Sequence, residues 1–164
     1  MLSDKALKTE ALNAIIQCNA NLNNLDSNGW TALIHAAYNG DIDSAAILIK
    51  NGADVNAFSN QQKSALHFAS MKNHLPVIKL LLSTHAIIEA KDHQECTPLH
   101  LACKKGAYDA VSTLLASGAN IFAVDERQWT PLHYAAYNGF PKVCKKLLTW
   151  SVDSDPKLRD AKNS

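Results

Sequence analysis

Histidine and cysteine are the side chains best suited to bind metal or move protons near neutral pH. Three histidines, His67, His100 and His133, stand 33 residues apart, and Cys96, His100 and Cys103 form a Cys-x3-His-x2-Cys spacing that superficially suggests zinc. A structural zinc site closes with four ligands, and no fourth of this kind lies nearby. Asp41 and Asp43 are close enough for paired acid–base work. They also fall near the start of a predicted helix, where carboxylates favour the positive end of the dipole, and capping accounts for them better. Phosphate-loop GxxxxGK, GxSxG and HExxH patterns are absent from the chain. No catalytic, cofactor-binding or metal-binding set emerges, and a non-enzymatic protein is expected.

The histidine spacing has a larger cause. The same step of 33 links Leu48, Leu81, Leu114 and Leu147, then Thr31, Ser64, Thr97 and Thr130, then Ala57, Ala90 and Ala123. Four blocks follow without a gap, 26–58, 59–91, 92–124 and one opening at 125, preceded by an incomplete unit over 1–25. Each block carries one set of local instructions. Thr97-Pro98-Leu99-His100 and Thr130-Pro131-Leu132-His133 open a short helix, Thr as its cap and Pro in its first turn. Gly40, Gly106 and Gly139 stop that helix in a left-handed residue. A second, amphipathic helix follows around Leu48-Ile49, Leu81-Leu82, Leu114-Leu115 and Leu147-Leu148, and Gly52 and Gly118 end it. The second block is the least regular: Ser64-Ala65 replaces Thr-Pro, Asn73 the first Gly and His85 the second. It is expected to be locally the weakest.

The stretch Gly29-Trp30-Thr31-Ala32-Leu33, through Ala36-Ala37 and Gly40 to Leu48-Ile49-Lys50-Asn51-Gly52-Ala53-Asp54-Val55-Asn56-Ala57, resembles the ankyrin repeat, and the resemblance runs over nearly the whole chain. It implies an all-α solenoid of stacked antiparallel helix pairs joined by outward-pointing β-hairpin loops. One such unit cannot bury its own apolar face, so neighbours share a continuous core. The resemblance also implies that His67, His100 and His133 bond to backbone and side chains at the helix start, and that Cys103 fills the small-residue place of Ala37 and Ala136. Leu48, Asp54, Val55 and Asn56 match the context of asparaginyl hydroxylation in such repeats, which makes Asn56 a candidate modification site.

Both ends read as cut from a longer array. Ala6 to Ile16 matches a second helix and Asn19 to Asn23 the turn after it. Asp160-Ala161-Lys162-Asn163-Ser164 resembles Glu89 to His93, provided five extra residues are placed in a hairpin around Ser151 to Pro156. The block from 125 then runs to 164 and includes the start of a further repeat.

Composition narrows the class. With 47% hydrophobic and 19% charged residues over 164 positions, the chain is neither disordered nor collagen-like. No run approaches the ~20 apolar residues of a membrane span. Four scattered cysteines suit reduced thiols and a cytoplasmic or nuclear location. A monomer is expected.

By the resemblance, partners contact the hairpin tips and the solvent side of the first helix of each repeat. The candidate contact residues are Trp30, Tyr38 and Phe58; Lys63, Met71, Lys72 and Lys91; Lys104 and Lys105; and Arg127, Trp129 and Tyr137. Cys96 falls on the same exposed set. Over all 23 tip and first-helix positions of the four blocks that this mapping covers, these six Lys or Arg stand against one acid, Glu126, although the net charge of the chain is +1. Aromatic groups at the outer blocks flank a basic middle. The expected partner is a protein segment with an acidic centre and apolar or aromatic flanks. Nucleic-acid binding along the lysines is the alternative, disfavoured by the near-neutral charge and single arginine of the set, and an intramolecular regulatory role is another. The Trp rings could equally lie flat and shield the hairpin backbone.

Overall fold

Short helix signals separated by left-handed stops give a chain of paired helices. The computed structural model describes residues 4–18 and 20–154. Its helices are α1 (Asp4–Gln17), α2 (Ala32–Asn39), α3 (Ile42–Lys50), α4 (Ala65–Met71), α5 (Leu75–Ser83), α6 (Pro98–Lys105), α7 (Tyr108–Ala116), α8 (Pro131–Tyr137) and α9 (Pro141–Ser154). The four inner helices α2, α4, α6 and α8 pack side by side, and α3, α5, α7 and α9 form an outer row behind them, with α1 against α3. The predicted all-α solenoid is the observed architecture. The connecting tips are tight turns. Among the described residues strand pairing is confined to a single antiparallel bridge, Phe58 with Ser64.

The core repeats with the sequence. Leu33, Ile34 and Leu48, then Leu66, Ile78 and Leu81, then Leu99, Leu114 and Leu115 are all essentially inaccessible to solvent. Full burial of each such side chain stabilises by roughly 1.5–3 kcal/mol, and the cluster is continuous from the first block to Leu147. No single pair of helices encloses it, which is why the repeats must stack.

At the ends of the first helices, Gly40 and Gly106 are required by both backbone and packing. Gly40 and Gly106 close α2 and α6 at φ 71° and 67°, and a Cβ there would sit 2.6 Å from the rings of His74 and Phe140 respectively. The neighbouring repeat rests directly on the glycine. In the second block the same stop falls on Asn73 at φ 60° and the later one on His85 at φ 65°. Asn73 is compensated: its Oδ1 accepts the Ala110 N–H at 2.9 Å and its Nδ2 donates to Asp109 at 3.3 Å. His85 is exposed.

One expectation is corrected. Ser151 stands 33 residues after Gly118, where a turn was expected to begin with an insertion, yet 151–154 continue α9. Without a glycine at that place nothing stops the helix there, and α9 reaches 14 residues against nine in α3, α5 and α7. The rest of the expected insertion and the repeat start at Asn163 lie outside the described residues.

A β-carbon in the left-handed region costs about 1–2 kcal/mol. Replacing His85→Gly is therefore expected to raise stability by about 1 kcal/mol, read as a higher urea midpoint. Asn73→Gly should give no such gain, because it also removes the bonds to Asp109 and Ala110.

Candidate functional site

The tips that carry half of the candidate surface are built by one recurrent polar residue. Asp26, Ser59, Asp92 and Asp125 stand 33 apart, and each side chain accepts backbone N–H groups two and four residues on. Asp92 Oδ1 takes Gln94 at 2.9 Å and Cys96 at 3.0 Å, while Asp125 Oδ1 takes Arg127 at 2.9 Å and Trp129 at 2.8 Å. The backbone closes the same turn: the Asp92 N–H donates to the Cys96 carbonyl at 3.0 Å, and the Glu95 N–H returns to the Asp92 carbonyl at 2.8 Å. The third turn residue is left-handed in every tip: Gly29, Gln62, Glu95 and Gln128. Neighbouring tips are joined in turn, Asn60 N–H to the Gly29 carbonyl, His93 N–H to Gln61, and Glu126 N–H to Gln94.

The cost of deprotonation falls accordingly. The Trp30 N–H, aided by the His35 ring, holds the Asp26 carboxyl down at about 2. Burial works to raise Asp125, but the Tyr134 hydroxyl and the Trp129 and Arg127 N–H groups hold it below the usual carboxylate range. The sequence reading passed over this column of acceptors, although the period marks it as clearly as it marks the histidines.

The three histidines form no triad. The Nδ1 of His67 accepts the Ser64 N–H at 3.1 Å, and its Nε2–H donates across the repeat boundary to the Cys96 carbonyl at 3.0 Å. His100 does the same with the Thr97 N–H and the Trp129 carbonyl, both at 3.1 Å. His133 takes the Thr130 N–H at 3.1 Å. An N–H pointing at Nδ1 fixes the neutral Nε2–H tautomer, since an imidazolium would oppose two protons. Burial accordingly lowers His67 from 6.5 to about 4 and lowers His100 as well.

On the surface itself the candidate residues divide. Trp30 lies half-buried with its ring 4.6 Å from Phe68 of the next repeat and 5.1 Å from Tyr38, and the Lys72 ammonium sits 4.3 Å over the Tyr38 ring. At the other end Trp129 packs 5.3 Å from both Tyr134 and Tyr137, and Lys104 lies 5.3 Å over the Tyr134 ring. Met71 is half-buried between them, and Lys105 and Tyr137 are exposed, Tyr137 at 77%. Phe58 stays at the base of the second tip in its bridge with Ser64. Lys63 approaches the buried Asp92 to 3.3 Å, Lys91 pairs with Glu95 at 2.9 Å, and Arg127 lies 4.0 Å from Glu126. The basic middle therefore narrows to Lys72, Lys104 and Lys105.

Cys96 is a correction. It was expected on the exposed tip, but it is fully buried. The Tyr134 hydroxyl, 3.7 Å from its sulfur, covers it while donating to Asp125 Oδ2 at 2.7 Å. Burial pushes the thiol up to about 11, well away from thiolate chemistry. Phe68 and Tyr134, which the contact mapping omitted, complete the aromatic ends.

Asn56 is one rung of a side-chain ladder on the outer loops. Its Oδ1 accepts the Ile87 N–H at 2.8 Å and its Nδ2 donates to the His85 carbonyl at 3.3 Å. Asn23 Oδ1 takes the Asp54 N–H at 2.8 Å and Glu89 Oε1 the Asn120 N–H at 2.9 Å, each a repeat away.

Helix pairs stacked so that their tips and inner helices share one face define an extended interaction solenoid. A family model described as ankyrin repeats in three copies matches residues 3–92 and 86–160, and the chain belongs to the ankyrin repeat family. Members are generally protein–protein interaction modules and typically non-enzymatic. No curated protein matches the chain. Among the described residues no helix is long and apolar enough to cross a membrane.

The buried histidines give the fold a defined acid sensitivity. A histidine lowered on folding contributes stability that is complete above its unfolded value of 6.5 and is lost as pH falls toward about 4. Denaturant midpoints should decline over that window, His67 alone accounting for roughly 3 kcal/mol across it at about 1.4 kcal/mol per unit. His67→Gln should be less stable near neutrality, with a flatter pH profile; an unchanged profile would count against the neutral buried imidazole.

Proposed function

We propose that this chain binds a segment of another protein along its tips and inner helices, and that the segment has an acidic centre between apolar or aromatic flanks. The observation that carries the proposal is the placement of Lys72, Lys104 and Lys105. Lys72 caps the end of the inner helix α4 and Lys104 and Lys105 form the last turn of the adjacent α6, with Tyr38 on one side and Tyr137 on the other. Lys72 and Lys104 rest on ring faces, a weak tether that leaves an ammonium able to meet an incoming carboxylate. Exposed charge of one sign steers association, while the aromatic ends supply the desolvated contacts.

A nucleic-acid backbone fits this surface less well. It favours a continuous run of cations, and Lys63 and Lys91 are already engaged by Asp92 and Glu95. The reading extends to a monomer, and to a location in the cytosol or nucleus, which four free cysteines suit. It also includes Asn56 as a hydroxylation position, tested by a mass shift on Asn56 after coexpression with an asparaginyl hydroxylase.

Panning a random peptide library on the folded chain tests the partner class. Enriched sequences should place Asp or Glu between apolar residues. Reversing charge with Lys72→Glu and Lys104→Glu should abolish the acidic preference while leaving the melting temperature within a few degrees. Enrichment that is absent, or that survives the reversal, would overturn the proposal.

A further inference from the structure

We propose that the cavity between the third and fourth repeats receives an aromatic side chain of the partner, one flanked by carboxylates. The proposal rests on the reading of this face as partner-binding and names the group that anchors there. The cavity measures about 340 Å³, and its walls include Lys104, Arg127, Trp129, Tyr134 and Tyr137. That volume lies within the ~300–1,000 Å³ of small-ligand pockets.

The chain contains its own template for the occupant. Position 30 recurs at 63, 96 and 129, so Trp30, Lys63, Cys96 and Trp129 are equivalent. In the first repeat the Trp30 ring fills the space between neighbours, 5.1 Å from Tyr38 and 4.6 Å from Phe68. The equivalents of Tyr38 and Phe68, two repeats on, are Lys104 and Tyr134. Both line the cavity. The residue that should supply the ring is Cys96, too short to do so, and it ends beneath Tyr134. Position 96 supplies no ring at this seam, and Lys104 and Tyr134, the equivalents of the residues that hold the Trp30 indole, line the cavity instead.

The walls state the chemistry of the guest. Trp129 and Tyr137, 5.3 Å apart in a T-shaped arrangement, present ring faces and edges to an aromatic plane. Lys104 places positive charge at the same cavity and Lys105 adds to it from the end of α6, while Arg127 lies on the wall 4.0 Å from Glu126. An aromatic ring with carboxylates beside it satisfies both sets of walls; a lysine-flanked ring meets repulsion.

The test is an NMR titration of the folded, isotope-labelled chain with capped pentapeptides. One carries Glu-Asp-Trp-Asp-Glu, the second has Ala in place of Trp, and the third has Lys in place of every acid. The first should shift Gln94, the Trp129 indole, Tyr137 and Asn138, and bind about tenfold more tightly than the other two. Tyr137→Ala, at an exposed position, should erase that margin, and Phe122→Ala, exposed on an outer loop at the place equivalent to Asn56 and Glu89, should preserve it. Equal binding of the Trp and Ala peptides, with shifts at Met71, Lys72 and Lys105 only, would overturn the cavity and leave the face reading intact. No shift anywhere along the inner helices would overturn both. Tighter binding of a short oligothymidylate at these residues, lost with added salt, would replace the peptide by nucleic acid and so overturn the proposal.

Discussion

The bond from the His67 Nε2–H to the Cys96 carbonyl carries the structural logic of the molecule. A repeat of this size cannot bury its own apolar face, and its polar groups at the boundary cannot all be satisfied from within. His67 resolves both at once. One ring nitrogen organises the start of its own helix while the other secures the tip of the next repeat, and the ring fills core space at the seam. His100 repeats the device one unit on. Since an unsatisfied buried donor costs about 1–3 kcal/mol, each repeat is completed by its neighbour, and stability belongs to boundaries more than to units.

The outer loops obey the same constraint with different chemistry. Asn23, Asn56 and Glu89 each accept an N–H from the following repeat, so the stack is tied at both its inner and outer edges. Between those ties the backbone must turn through left-handed residues. Where glycine is missing, the side chain either finds compensating bonds, as Asn73 does with Asp109 and Ala110, or stays strained, as at His85. Gln62, Asn73 and His85 all fall within the second block, which concentrates backbone strain in one unit. The order of the seams and the unevenness of the repeats coexist because the ties are made by side chains, and side chains vary.

Much of this was legible in the residues. The period of 33 located the helices and the stops at Gly40 and Gly106, because a repeated position with one residue type reports a repeated local geometry, and the resemblance to the ankyrin repeat supplied the structural role of the histidines. What escaped was pairing across repeats. Counting Lys63 and Lys91 as free charge ignored Asp92 and Glu95, which lie outside the mapped contact positions but beside those lysines in space. Cys96 was assigned exposure from its place in the repeat, whereas its burial is decided by Tyr134 from the next unit. The helical continuation through 151–154 escaped for the opposite reason: the period predicted a turn, and the local residues contain nothing that stops a helix.

The two kinds of position divide the labour of the chain. Columns with one residue type, such as Leu48, Leu81, Leu114 and Leu147, hold the stack together and say nothing about partners. The column Trp30, Lys63, Cys96 and Trp129 does the reverse: one backbone geometry carries an indole, a tethered cation and a buried thiol. Because the backbone there is held by the acceptor at the start of each tip, a change of side chain alters the shape and charge of the seam without moving the frame. Large, small and charged residues in that column therefore translate directly into filled, open and polar seams. On the proposed reading, selectivity in such a solenoid arises where the repeat is broken, and the rigidity that makes the break meaningful comes from where it is kept.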